Sequence, residues 1–99
     1  MKNRYMEKLR KVTLASWEGE NVKVVLFGSR ARQDHRRASD VDIGLIPAGV
    51  LDKKRLVLLK DKVEALNIPY KVEIVDFSEA SSDFKKEAMK GAVTWKDWN

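Results

Sequence analysis

The stretch VKVVLFGSRA, residues 22–31, joins a nearly continuous apolar run to a Gly-Ser break and a short polar segment. β-Branched residues dominate the run, and apolar side chains on both strand faces are typical of a strand buried on both sides. We therefore expect residues 22–27 to form a central strand of a sheet. Gly28 ends this strand, and Ser29 is placed to cap a short helix over residues 29–33.

A second stretch, DVDIGLI at residues 40–46, alternates strictly between apolar and other residues. Successive side chains of a strand point to opposite faces, so the apolar residues share one face. Asp40 and Asp42 then project together from the other face. This pattern predicts a second strand with one acidic edge.

The rest of the chain predicts helices and further strands that complete one sheet. Apolar residues at three- and four-residue spacing indicate helices, and alternating or β-branched runs indicate strands. The expected elements are a helix over 3–17, a helix from about 52 to 66, a strand over 71–77, a helix over 78–90, and an edge strand or extended tail over 92–95. The fold class is therefore α/β (α+β): a small mixed β-sheet flanked by helices, in a single domain of residues 1–99.

Composition excludes several classes of protein. The chain has 99 residues and no cysteine, which excludes disulfide scaffolds, cysteine-ligated zinc and thiol nucleophiles and favours the cytoplasm. No apolar run approaches the roughly 20 residues that a membrane helix needs. The net charge of +5 indicates attraction to polyanions such as nucleotide phosphates or nucleic acid.

The Gly-Ser break and the acidic strand suggest a phosphate and metal site. Gly28 lets backbone approach a ligand closely, and the helix start after it, with the Ser29 hydroxyl, is suited to an anion. Arg30 follows and is a candidate for binding phosphate. Asp40 and Asp42 have Cα atoms roughly 6.5 Å apart, so their carboxylates can converge on one or two divalent ions.

A third carboxylate is expected on the strand at residues 71–77. Glu73 can face the same side as the aspartates if the two strands are neighbours, and it can accept the proton of an attacking hydroxyl. Asp76 is the alternative, but alternation sends it to the opposite face. We therefore select Glu73.

The motifs VLFGSRAR at residues 25–32, SDVDI at 39–43 and VEIVD at 72–76 resemble the minimal nucleotidyltransferases of the polymerase-beta-like superfamily. The resemblance spans residues 22–95. It implies that Gly28 and Ser29 hold a nucleoside triphosphate, that Asp40 and Asp42 bind two Mg²⁺ ions, and that Glu73 completes the acidic triad. The chain departs from the family pattern in having Gln33 where many members have glycine, and Glu73 where aspartate is more usual.

The resemblance also implies a reaction and a partner. It points to a Mg²⁺-dependent enzyme that moves a nucleoside monophosphate, AMP from ATP, onto a hydroxyl and releases pyrophosphate. Similar proteins pair with a helical HEPN-type protein as antitoxin and toxin, and they adenylylate a toxin tyrosine. We expect such a partner here.

Two alternatives remain open at this stage. One is a catalytically weak nucleotide-binding module that neutralises its partner by contact alone. The other is a basic nucleic-acid-binding domain, which the charge favours but which lacks a recognisable groove-reading helix or stacking-aromatic motif. We also expect Trp17, Trp95 and Trp98 to offer apolar surface to a partner, so that truncation after Thr94 leaves nucleotide binding intact.

Overall fold

A four-stranded mixed sheet is the framework of the computed structural model, which describes residues 3–31 and 40–98. The side chains of residues 29 and 30 also lie outside the description. In chain order the elements are α1 (Arg4–Ser16), β1 (Val22–Phe27), α2 (Gly28–Ala31), β2 (Asp40–Pro47), α3 (Lys53–Ala65), β3 (Lys71–Asp76), a 3₁₀ turn (Phe77–Glu79), α4 (Ser82–Met89) and β4 (Val93–Lys96).

The strand order in the sheet is β3-β2-β1-β4. β1 pairs antiparallel with both β2 and β4, and β2 pairs parallel with β3. The prediction of β1 as an interior strand is therefore confirmed, as is the edge strand near the carboxyl end. The mixed sheet with helices also confirms the predicted fold class.

The larger core lies on the sheet face covered by α1 and α3. Apolar residues of β1 and β2 meet Leu9 of α1 and Leu59 of α3 there. Val41, Ile43 and Leu45 are completely buried in this core, as the alternation in β2 predicts. Burial of these apolar side chains is the main driving force for assembling the sheet and the two helices.

The opposite face carries a smaller core, which the chain after β3 covers. Its buried members are Val25, Phe27, Phe77 and Ala88. Gly44 lies beneath Phe77, since a Cβ added to the glycine would approach the ring to 2.6 Å. The absence of a side chain at residue 44 therefore lets the Phe77 ring pack closely against the sheet.

The single helix predicted over residues 78–90 is wrong in its first part. A 3₁₀ turn follows β3, and α4 starts only after Ser81, whose Oγ accepts a hydrogen bond from the Phe84 backbone N–H at 3.1 Å. Serine is a preferred N-cap because its hydroxyl satisfies a free N–H of the first helical turn. This cap sets the start of the helix that borders the site described below.

The expectation that all three tryptophans offer apolar surface is wrong for Trp17 and Trp95, and for Trp98 it stays a prediction. Trp17 is completely buried, and Trp95 packs against the main core from β4. Truncation after Thr94 would therefore remove part of a paired strand. Trp98 is 45% exposed, with its Nε1 donating to the Ile46 carbonyl at 2.9 Å.

None of the helices in residues 3–31 and 40–98 is long and apolar enough to cross a bilayer.

Candidate active site

Asp40, Asp42 and Glu73 lie on the same face of the sheet. Asp42 is the register partner of Glu73 in the parallel pair of β2 and β3. Partnered residues of adjacent strands point to the same face, and so do residues two apart on one strand. Glu73 was selected on the condition that its strand lies next to the strand of the two aspartates, and β2 and β3 are indeed adjacent.

Asp76 lies on the opposite face of the sheet from this group, and its carboxylate is hydrogen-bonded to Ser78. Its register partner is the core residue Leu45. The Oδ1 atom of Asp76 accepts hydrogen bonds from the backbone N–H of Ser78 at 2.9 Å and from its hydroxyl at 2.6 Å. Asp76 therefore caps the 3₁₀ turn, and Glu73 is the third carboxylate on the acidic face.

The surroundings of Asp42 change the pKa of its carboxyl group. Burial raises the pKa of the Asp42 carboxyl above its usual value, and the negative charges of Glu73 and Asp40 raise the pKa further. Both effects disfavour the ionised form. A bound cation would oppose both, because positive charge close to a carboxylate favours ionisation.

Gly28 brings backbone directly against Asp42. Phe27 is the register partner of Asp42, so the chain turns at Gly28 beside the carboxylate. Gly28 has a φ of 78°, a conformation that side-chain-bearing residues rarely adopt, and a Cβ there would collide with the Asp42 carboxylate. The Asp42 carboxylate therefore requires a residue without a side chain at position 28, and the approach of a ligand to this backbone stays a prediction.

α2 begins at Gly28. The side chains of Ser29 and Arg30 lie outside the described part of the structure, so their roles toward phosphate stay predictions. Gln33 and the rest of residues 32–39, which carry several basic side chains, likewise fall outside it.

Lys71 is a cation beside the acidic group that sequence reasoning missed. Its Nζ lies 3.6 Å from Oε1 of Glu73, and Lys71 is the register partner of Asp40. Both side chains of the ion pair are more than half exposed, so the pair contributes little to stability. The ammonium group nevertheless offsets part of the negative charge of the site.

Within residues 3–31 and 40–98, no three carboxylate or imidazole side chains converge closely enough to hold a metal ion as they stand. The chemistry of the donors still suits Mg²⁺, which prefers carboxylate oxygens. Burial, with the negative charges of Glu73 and Asp40, raises the pKa of Asp42, and a bound cation would offset these effects. The carboxylates are therefore the right kind of ligand for a divalent cation. To bind one together, their side chains would have to move closer to each other than they are here.

A cleft of about 540 Å³ opens beside the acidic group. Its lining residues are Phe27, Asp42, Glu73, Val75, Ala80, Ser81 and Phe84. A larger groove of about 660 Å³ runs between α3 and β3, but the two aspartates do not line it. The smaller cleft is the one suited to chemistry, because it alone of these two contains both Asp42 and Glu73.

The family profile described as "Polymerase beta, Nucleotidyltransferase" matches residues 8–96. A relative from Haemophilus influenzae, "Probable protein adenylyltransferase MntA", is 30% identical over 60 residues, which are 61% of this chain and 53% of that protein. The chain thus spans about half the length of this curated relative.

Solved structures of toxin–antitoxin complexes share the fold. One, crystallised with AMP-PNP, has a TM-score of 0.66 and 22% identity, and the match covers 89% of this chain and 73% of that chain. Another contains a tri-AMPylated Shewanella oneidensis HEPN toxin with its MNT antitoxin, with a TM-score of 0.65, 23% identity and coverage of 94% of this chain and 70% of that chain.

Proposed function

This chain belongs to the polymerase beta nucleotidyltransferase family, and we propose that it transfers AMP from ATP to a hydroxyl group of a partner protein. In this proposal residues 1–99 act as one nucleotidyltransferase domain. The observation that carries it is the pairing of Asp42 with Glu73 on one sheet face, with the backbone of Gly28 directly against Asp42.

Two groups of residues serve the proposed reaction. Gly28, Ser29 and Arg30 hold the triphosphate, and the carboxylates of Asp40 and Asp42, together with Glu73, would hold the metal ions. The acceptor oxygen forms a bond to the α-phosphorus, and the bond from that phosphorus to the bridging oxygen of the β-phosphate breaks. Pyrophosphate leaves with that oxygen, and the hydroxyl proton passes to the Glu73 carboxylate.

Magnesium is the metal that this set of donors suits, with Asp40, Asp42 and Glu73 as the residues that would hold it. When bound, Mg²⁺ supplies positive charge that neutralises the triphosphate during phosphoryl displacement. The protein contributes the placement of the carboxylates. Lys71 and Glu73 form an exposed ion pair, so freeing the Glu73 carboxylate from Lys71 would cost little free energy.

The proposed partner is a helical HEPN-type toxin, with this chain as its antitoxin. Support comes from the relative named as a protein adenylyltransferase and from the shared fold with an antitoxin bound to an AMPylated HEPN toxin. An exposed Trp98 beside Lys23, whose Nζ lies 5.1 Å from the ring centre, offers an amphipathic patch for such a partner.

The test is the intact mass of a HEPN-type protein purified with this chain, measured before and after incubation with ATP and Mg²⁺. The proposal predicts a gain of one AMP group for each acceptor hydroxyl, and no gain with the Asp42→Asn variant. An unchanged mass alongside full toxin neutralisation would replace the proposal with inhibition by contact alone.

A further inference from the structure

We propose that the outer edge of β3 is a docking site for a second copy of this chain. In the dimer the two β3 strands pair antiparallel about a two-fold axis at Val72, so that the two sheets join into one continuous sheet. This inference goes beyond the proposed nucleotidyl transfer and does not depend on it.

β3 lies at the end of the sheet and, within the described part of the chain, pairs on one side only, with β2. Alternate backbone N–H and C=O groups of such an edge strand point away from the sheet. Val72 and Ile74 of β3 are half-buried, whereas their register partners Val41 and Ile43 are completely buried. An added strand would cover both the backbone groups and these apolar side chains.

The groove of about 660 Å³ between α3 and β3 provides space for this strand. Val63 of α3 and Ile68, which follows the helix, line the groove together with Val72 and Ile74. A strand that lies along β3 can therefore bury its own apolar face against α3. An extended segment with alternating apolar residues fits this space, and β3 itself has that pattern.

The charges of β3 favour a second copy in one register. Residues at equal distances from a two-fold axis lie opposite each other in antiparallel strands, so an axis at Val72 places Lys71 of each copy opposite Glu73 of the other. Opposite charges stabilise such pairs, and both side chains are more than half exposed and free to turn. An axis at Glu73 would oppose two glutamates, and an axis at Ile74 would oppose Glu73 and Val75.

α3 carries a second set of complementary charges along the same groove. Lys60 and Glu64 line it and lie four residues apart, on one side of the helix. The two-fold axis sets the two α3 helices antiparallel on the same face of the joined sheet, with Lys60 of one copy toward Glu64 of the other. The charges of the strand and of the helix are therefore complementary under one symmetry operation.

Sedimentation equilibrium of the chain alone, at low salt and over a range of concentrations, measures this association. The unaltered chain should dimerise, and Lys71→Glu should raise the dimer dissociation constant at least about tenfold, because two attractive pairs become repulsive. Lys60→Glu should weaken the dimer as well. Lys62→Glu is the matched control, since it changes the charge of α3 equally but outside the groove, and it should have little effect.

A charge exchange and single cysteines test the register. Lys71→Glu combined with Glu73→Lys should restore dimerisation. Because the chain has no cysteine, Val72→Cys should give one disulfide-linked dimer on mild oxidation, since opposite Cα atoms lie about 4.5–5.5 Å apart. Ile74→Cys should not, because the two copies of residue 74 would lie about 13 Å apart along the strands. Circular dichroism checks that each variant folds.

Three results would overturn the inference: a monomer at every concentration, a dimer that Lys71→Glu leaves intact, or crosslinking through residue 74 in preference to residue 72. If the chain stays monomeric while Lys71→Glu and Lys60→Glu weaken binding of a HEPN-type protein, the groove belongs to that partner instead of a second copy. Transfer of AMP is measured separately, so failure of the dimer leaves the proposed function standing.

Discussion

The backbone of Gly28 lies against the carboxylate of Asp42, so that a Cβ on the glycine would overlap Oδ2 of Asp42 and lie 3.3 Å from its Cγ. The carboxylate could not keep its position beside any side chain at residue 28. The same contact places the turn after β1 at the acidic face of β2, which brings the predicted phosphate-binding and metal-binding residues together.

Gly28→Ala should therefore impair transfer beyond its effect on stability. The matched control is Gly19→Ala, because Gly19 has a similar φ of 79° but nothing within 4 Å of an added Cβ. Each variant should lose about 1–2 kcal/mol of unfolding free energy from the left-handed conformation. Transfer should fall about 10²-fold in Gly28→Ala alone, as Asp42 is displaced. Equal transfer rates in the two variants would contradict the role of this contact.

Asp42→Asn should abolish transfer and leave the fold intact. The folded state raises the pKa of Asp42, so it binds more protons than the unfolded chain as pH rises past the ordinary aspartate value of about 3.9. The free energy of unfolding therefore falls as pH rises from the ordinary aspartate value through the raised pKa of Asp42, and it stays lower above that pKa.

Urea unfolding of the chain without nucleotide or metal measures this effect. Asp42→Asn should be as stable as the unaltered chain or more so at neutral pH, and the difference should shrink as pH falls below the aspartate value. Asp61→Asn, at an exposed residue of α3, is the control. A variant that is less stable at neutral pH would show that Asp42 is stabilised in its ionised form.

Glu73→Gln and Asp76→Asn should separate the two candidates for the third carboxylate. Glu73→Gln should reduce transfer by at least about 10²-fold, the lower scale of general-base catalysis. Asp76→Asn should retain transfer, since the amide oxygen can still accept the hydrogen bonds from Ser78 that cap the 3₁₀ turn. Steady-state transfer rates give the ranking, and the reverse ranking would place the catalytic carboxylate on the other face.

Gly44→Ala should destabilise the smaller core. The added Cβ would lie 2.6 Å and 2.7 Å from two ring atoms of Phe77 and 3.0 Å from Val25. Overpacking of this kind costs about 1–3 kcal/mol. Denaturant unfolding should show this loss, while Gly49→Ala, where nothing lies within 4 Å, should change stability far less. If Gly44→Ala and Gly49→Ala lost similar amounts of unfolding free energy, the Phe77 ring would be able to move aside without destabilising the core.

The strands and the same-face aspartates could be predicted because strand alternation is a local property. Asp40 and Asp42 share a face whatever the sheet around them. The position of Glu73 beside them depended on β2 and β3 becoming neighbours, a long-range pairing that no local pattern determines. Alternation could only exclude Asp76 from the same face.

Sequence reasoning did not identify Phe84 and Lys71 as residues that border the site. α4 begins at Ser82, after the 3₁₀ turn and the N-cap Ser81, and Phe84 in its first turn lines the cleft. The prediction of one helix over residues 78–90 did not contain that break. Alternation alone places Lys71 on the face of Glu73, two residues along β3, but its position beside Asp40 depends on the pairing of β2 with β3. Both positions follow from tertiary packing and strand register.

The most direct measurement of the central claim compares transfer from ATP labelled at the α-phosphate with transfer from ATP labelled at the γ-phosphate. Both are incubated with this chain, Mg²⁺ and the HEPN-type partner. Nucleotidyl transfer predicts that the partner acquires the α label, that the γ label leaves in pyrophosphate, and that Asp42→Asn abolishes labelling. Acquisition of the γ label, or of neither label, would contradict the account.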